Sequence, residues 1–167
     1  MLPEVVTKFI GTSSGTTVFV VEKGAIKKFA DAVDDPNPLY WDEEYARNSR
    51  YGSLIAPPGF FGWPVHLAKG QTFLRSETQQ GTESEKKGEL TVELAKAGYP
   101  RNLDGGIEYE FFTPVRAGDI LSASSRIKDI IEKEGATGTL IFVTTETTYT
   151  NQNGVLVTQA RSTAIFR

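Results

Sequence analysis

Between residues 16 and 35 the chain changes its hydrophobic period. "TTVFVVE", Thr16–Glu22, concentrates β-branched and aromatic residues and predicts a strand. In "GAIKKFADAVDD" the apolar residues Ile26, Phe29, Ala30 and Val33 recur at i, i+3, i+4 and i+7, one face of an amphipathic helix. Pro36 and Pro38 stop it, because proline has no N–H and its ring clashes with the preceding turn. Upstream, Pro3–Ile10 predicts one or two helical turns with proline at an early position. Downstream, "DEEYARNS" predicts a short helix with Asp42 as its N-cap. "APPGFFGWPVHLAKG", residues 56–70, has an apolar body and predicts a buried helix, weakened by Gly62 and Pro64.

The pattern is least ordered over residues 71–104. "SETQQGTESEKKGE" is polar and charged and predicts a solvated surface excursion, with "LTVELAKAGYP" adding a short helix. From Gly105 the character becomes β. "GIEYEFF", "DILSASSRIKDIIEKE", "GTLIFVTTETTYT" and "GVLVTQARSTAIFR" predict four long strands, punctuated by "TPVRAGD", "EGATG" and "NQNG". Asn153-Gly154 predicts a type I′ hairpin turn, with positive φ at both central positions. Strand, helices and then an antiparallel meander predict an α+β domain over 1–167, an antiparallel sheet wrapped around a central helix.

Composition narrows the function classes. A chain of 167 residues suits one domain, and a net charge of −3 argues against nucleic acid, which calls for a basic face. With no cysteine there is no disulfide, thiolate metal site or thiol nucleophile, which fits a cytoplasmic location. No run approaches 18 apolar residues and the first residues lack a signal-peptide pattern, so neither a membrane span nor a secretory leader is expected. No metal site is expected either.

The chemistry concentrates in "DDPNPLYWD", Asp34–Asp42. By residue type alone, Asp35 and Asn37 can close turns before the prolines, and Tyr40 and Trp41 can be packing aromatics. His66, the single histidine, reads as a core or interface residue. Three stretches together carry more: "AVDDPNPLYWDEEYA", "YGSLIAPPGFF", and "LDGGIEYEFFTPVRAGD" with the later "YTNQNGVLV". In order and spacing they resemble the MaoC-like dehydratases and R-specific enoyl-CoA hydratases, which have a hotdog fold. The nearest likeness is the FAS1-like, or N-terminal MaoC, dehydratase domain.

The resemblance implies reversible addition of water across the double bond of a trans-2-enoyl thioester. The family uses an Asp and a His in D-x-N-P-x-H, with a backbone N–H at the start of the central helix meeting the thioester oxygen. Carried onto this chain, Asp35, Asn37 and Pro38 match, and Tyr40 stands in the His position. An unperturbed phenol titrates near pH 10, against about 6.5 for imidazole, so Tyr40 is a poor base. Pro57 and Pro58 fall on the family's His-Gly pair, and Pro58 has no N–H to donate. Gly59 is the replacement donor, given a shifted helix start. Arg101 and Arg116 are weak candidates for coenzyme A phosphates.

Three readings follow. The first is an acyl-thioester-binding hotdog subunit of an enoyl-CoA hydratase or 3-hydroxyacyl dehydratase, with a degenerate dyad completed by a catalytic MaoC-type partner. The second is a self-sufficient homodimeric hydro-lyase using Asp35, and the third a non-enzymatic thioester-binding protein. The resemblance implies no cofactor beyond the coenzyme A or carrier-protein handle of the substrate, and either a homodimer or a heteromer.

Overall fold

The β-rich half builds one antiparallel sheet. The computed structural model describes residues 4–64, 82–136 and 138–167. Its strands are β1 (Ser13–Val20), β2 (Trp63–Pro64), β3 (Asn102–Phe111), β4 (Ile120–Gly135), β5 (Gly138–Thr150) and β6 (Leu156–Phe166), in the order β2-β1-β4-β5-β6-β3. β4, β5 and β6 are the predicted meander, and period-2 alternation puts Leu121, Ala123, Ile127, Ile141 and Val143 on one buried face. β3 and β2 are the outer strands.

Among the described residues five helices accompany the sheet: α1 (Glu4–Thr7), α2 (Lys23–Ala32), α3 (Pro38–Trp41), α4 (Glu43–Asn48) and α5 (Thr82–Lys96). The 3.6-residue pattern of α2 buries Ile26 and Ala30 fully. Val33, read as the last member of its apolar face, is 52% exposed because the helix ends one residue before it. Asp34 turns the chain with φ +53, and Asp35 N–H donates back to Ala30 O at 2.9 Å, closing the helix end before the prolines act. Asp42 caps α4 as expected, accepting from Glu44 N at 2.9 Å and Tyr45 N at 3.0 Å.

Three expectations are corrected. The predicted helix over 56–70 is absent from 56–64, which runs as a loop, a turn and the two-residue β2; 65–70, with His66, lie outside the described residues. The prolines and positive-φ glycines of this stretch oppose helix, and its phenylalanines bury themselves from a loop instead. The short helix expected at "LTVELAKAGYP", residues 90–100 within the 71–104 excursion, is instead the longer α5 that begins at Thr82; 71–81 lie outside the described residues. Leu90 and Leu94, one turn apart, bury against Ile127, Ile130, Ile141, Val143 and Phe166, so tertiary burial holds a helix whose flanks read as solvated. Finally, the β5–β6 turn is not type I′. Gly154 has φ +73, but Asn153 does not share it, and Asn151 organises the loop by accepting from Asn153 N and Val155 N through its side chain.

The core has two parts. One gathers α1, α5 and the far ends of β4, β5 and β6. The other gathers α2, Tyr40, Ile55, Ala56, Phe60, Phe61, Val115, Leu121 and Val157. Thr158, fully buried on β6, has no hydrogen-bond partner for Oγ1 among the described residues. A buried hydroxyl without a partner carries a desolvation cost. Thr158→Val is therefore expected to stabilise the fold by about 1 kcal/mol, raising the melting temperature by about 2–4 °C. An unchanged or lower melting temperature contradicts this.

Candidate functional site

The site grows from the end of α2. Asp35 Oδ1 accepts from Asn37 N at 3.1 Å, and Asn37 Oδ1 accepts from Leu39 N at 3.1 Å. The two side chains thus set successive turns, and Asn37 N-caps α3 with Pro38 at its first position. Trp41 Nε1 donates to Asp35 O at 2.8 Å and pins the helix back on the loop. The single turn of α3 then aims Tyr40 inward, where it is buried.

A second segment meets it. Ile55 N donates to Leu39 O at 3.2 Å, and Ala56 N to Val115 O at 2.8 Å, so residues 54–56 are held between α3 and the loop after β3. Phe60 N donates to Pro57 O at 3.0 Å across Pro58-Gly59, with Gly59 at φ +90; this is a turn of type II character. Phe60 and Phe61 leave this turn into the core, Phe61 stacking on Tyr149 at 4.3 Å between centroids.

A cavity of about 350 Å³ results. Its walls are Asn37, Leu39, Tyr40 and Tyr51 on one side, residues 55–61 beneath, and Phe111–Val115 on the other. Of the four candidate site residues, Asn37, Tyr40 and Gly59 line this cavity together. Asp35 lines a neighbouring hollow with Ala30, Pro36 and Trp41, although its charge reaches the phenol. Burial chiefly, and then the Asp35 carboxylate, push the Tyr40 phenol above its ordinary range; Tyr51 adds to this and the hydrogen bond with Asn37 opposes it. Tyr40 is thus protonated at neutral pH.

Gly59 is where the helix-start expectation fails. No helix begins at 56–64, so its N–H has no helix N-terminus behind it and is presented by the turn alone. Arg116 sits beside the cavity, with its backbone N–H on Asp119 Oδ2 at 2.7 Å. Arg101 precedes β3, about 30 Å from Phe111 at the rise of an extended strand. Tyr51, Phe111 and Phe112 were not anticipated; the consecutive phenylalanines, which break the alternation of β3, were the available signal. Among the described residues no group of His, Cys, Asp and Glu side chains could hold a metal ion.

Comparison with known proteins places this geometry. Residues 8–160 match the family model described as "FAS1-like, dehydratase domain region". A "UPF0336 protein" of Streptomyces avermitilis is 34% identical over 123 residues, 73% of this chain and 71% of the relative. A "probable enoyl-CoA hydratase alpha subunit" of Thermomonospora curvata is 32% identical over 137 residues, 81% of this chain but only 41% of that protein's length. Among solved structures, the ChsH1-ChsH2 complex from Mycobacterium tuberculosis matches with a TM-score of 0.77 at 19% identity, covering 97% of this chain and 93% of the matched one. The sheet with its packed helices is a hotdog fold, and the chain belongs to the MaoC-like dehydratases through the FAS1-like dehydratase domain region.

Proposed function

We infer that this chain is the acyl-thioester-holding subunit of an enoyl-CoA hydratase or 3-hydroxyacyl-thioester dehydratase, and that a MaoC-type partner supplies the water-activating histidine. The observation that carries this reading is the buried, protonated Tyr40 at the place where the family has histidine. Hydration needs a group that accepts a proton from water near neutral pH. A phenol raised above its ordinary range cannot accept one there, and Asp35 uses a carboxylate oxygen to hold the turn at Asn37.

What the site keeps is the capacity to hold a ligand. Phe60, Phe61, Phe111 and Phe112 give the cavity apolar walls suited to an acyl chain, and Gly59, which lines it with them, is the backbone position assigned to a carbonyl oxygen in this reading. Excluding water from the acyl chain and orienting its thioester end are the roles left to these residues. The name of the alpha-subunit relative, and the two-protein complex of the structural neighbour, support a division of labour between chains.

The test follows loss of enoyl-thioester absorbance. The purified chain is expected to give no turnover above buffer, and to give turnover when mixed with a MaoC-type protein carrying an intact D-x-N-P-x-H motif. Asp35→Asn in that mixture is expected to leave the rate within about threefold, since an acid–base residue contributes about a hundredfold or more. Full activity of the chain alone, or a hundredfold loss in Asp35→Asn, places the chemistry on Asp35 and overturns this reading.

A further inference from the structure

Phe61 stands between two hollows. Its ring lies 4.3 Å from that of Tyr149 on β5 and 5.5 Å from that of Tyr109 on β3, centroid to centroid. β6 runs between those strands, with Thr158 in register with Tyr149 and Ala160 in register with Tyr109. Phe61 therefore crosses over β6, wedged between an aromatic ring on either side. Tyr149 continues the row to Phe19 on β1 at 6.0 Å, and Tyr109 continues it to Phe111 at 5.7 Å. An aromatic row thus crosses the core face of the sheet.

The floor on both sides of that row is low. Alternation puts Thr158, Ala160, Ser162 and Ala164 of β6 on the core face, and all four are small. On the near side lies the cavity beside Tyr40, which Phe61 helps to wall. On the far side a second cavity, of about 430 Å³, lies between α5 and the sheet, with Leu90, Thr145, Ser162 and Ala164 among its walls. From Ala160 to Ala164 is about 13 Å at the rise of a strand. At the crossing itself Thr158 is fully buried, and its Oγ1 has no hydrogen-bond partner among the described residues. Phe61 is buried too, and rings on both sides hold it, so it is a wall and not a flap.

We propose that Phe61 is the specificity-determining residue of the acyl site. It closes the inner end of the cavity, so the chain takes short acyl thioesters and the hollow beyond is reached when the ring is removed. A volume of about 350 Å³ stands at the low end for a small-molecule site, as a short acyl group requires. This inference rests on the thioester-holding reading above and adds the substrate class.

Isothermal titration of the full chain with butyryl-CoA and decanoyl-CoA tests it. Both probes are saturated, so binding is read whether or not the chain hydrates an enoyl thioester. Wild type is expected to bind the two within about threefold, less than one buried methylene is worth. Phe61→Ala is expected to bind decanoyl-CoA about tenfold or more tightly than wild type, the worth of two newly buried methylenes, with butyryl-CoA within about threefold. Phe61→Leu, which keeps more of the core filled, is expected to move the same way where the alanine variant does not fold. Adding Ser162→Phe to either variant refills the floor beyond and is expected to cancel the gain, which a merely loosened core would keep. A wild type that prefers decanoyl-CoA tenfold overturns the proposal, and that measurement needs no variant. So do folded Phe61 variants whose affinities are unchanged, or a gain that survives Ser162→Phe; each of these leaves the thioester reading standing. A folded wild type that binds neither probe overturns both.

Discussion

Gly62→Ala is expected to destabilise the fold by about 3–5 kcal/mol, a large part of the stability of an ordinary domain. Gly62 has φ +87, where an L side chain is strained by about 1 kcal/mol. Space makes the rest of the difference. A Cβ there would overlap Val20 O and lie 2.7 Å from Val20 C and 3.0 Å from Val21 N, all backbone atoms that cannot rotate away. The strand end they belong to is itself fixed, since Val21 is fully buried, donates to Asp119 O at 2.9 Å and accepts from Gly118 N at 2.8 Å. Gly59→Ala is the control. It shares a positive φ of +90, but its Cβ meets nothing within 4 Å, so only the strain of about 1 kcal/mol is expected. Urea melts of the two variants measure the contrast. Equal midpoints would mean that close packing of residue 62 on β1 is not what demands glycine.

Glu146→Gln is expected to cost about 2 kcal/mol at neutral pH and to flatten the acid limb of the stability curve. Glu146 projects from β5 on the face away from the core and is buried there, meeting Arg126 at 2.7 Å, Lys128 at 2.8 Å and Arg161 at 3.2 Å. Hydrogen bonds from Lys128 and Arg126, with Arg161 adding to them against the cost of burial, hold its pKa at about 2 instead of 4.5. Because the folded value is depressed, the stabilisation is complete above the unfolded value and lost as pH falls from about 4.5 toward 2. The cations are largely exposed, so solvent screening reduces the full linkage value to about 2 kcal/mol. Melting temperatures between pH 2 and 7 test it: wild type should lose stability across that window and the variant should lose less. Parallel curves would remove Glu146 as their cause.

The separation between what was legible and what was not follows particular residues. The strands from β4 to β6 were readable because each is a long β-rich run between turn residues, and β5 fell on the predicted Gly138–Thr150. The Asx turns at Asp35 and Asn37 and the cap at Asp42 were readable because each acts within three residues. The apolar run "PPGFFGWP" misled because hydrophobicity reports burial, not conformation. Phe60 and Phe61 bury from a loop as completely as from a helix. The helix α5 was half hidden because its apolar residues are few, and only the facing Ile127, Ile141 and Phe166 make Leu90 and Leu94 decisive.

Local chemistry, then, lay in the sequence alone: the strand and cap signals, the Tyr40 phenol in place of an imidazole, and a proline without an N–H at the next motif. Tertiary structure alone decided which of these groups share a cavity. It set Tyr40, Asn37 and Gly59 around one cavity with Phe111 and Phe112, turned Asp35 into its own hollow, and left β3 as an outer strand of the described sheet. The reason is distance along the chain. A turn or a cap is settled by neighbours a few residues apart, whereas a cavity joins segments more than fifty residues apart that no periodicity relates.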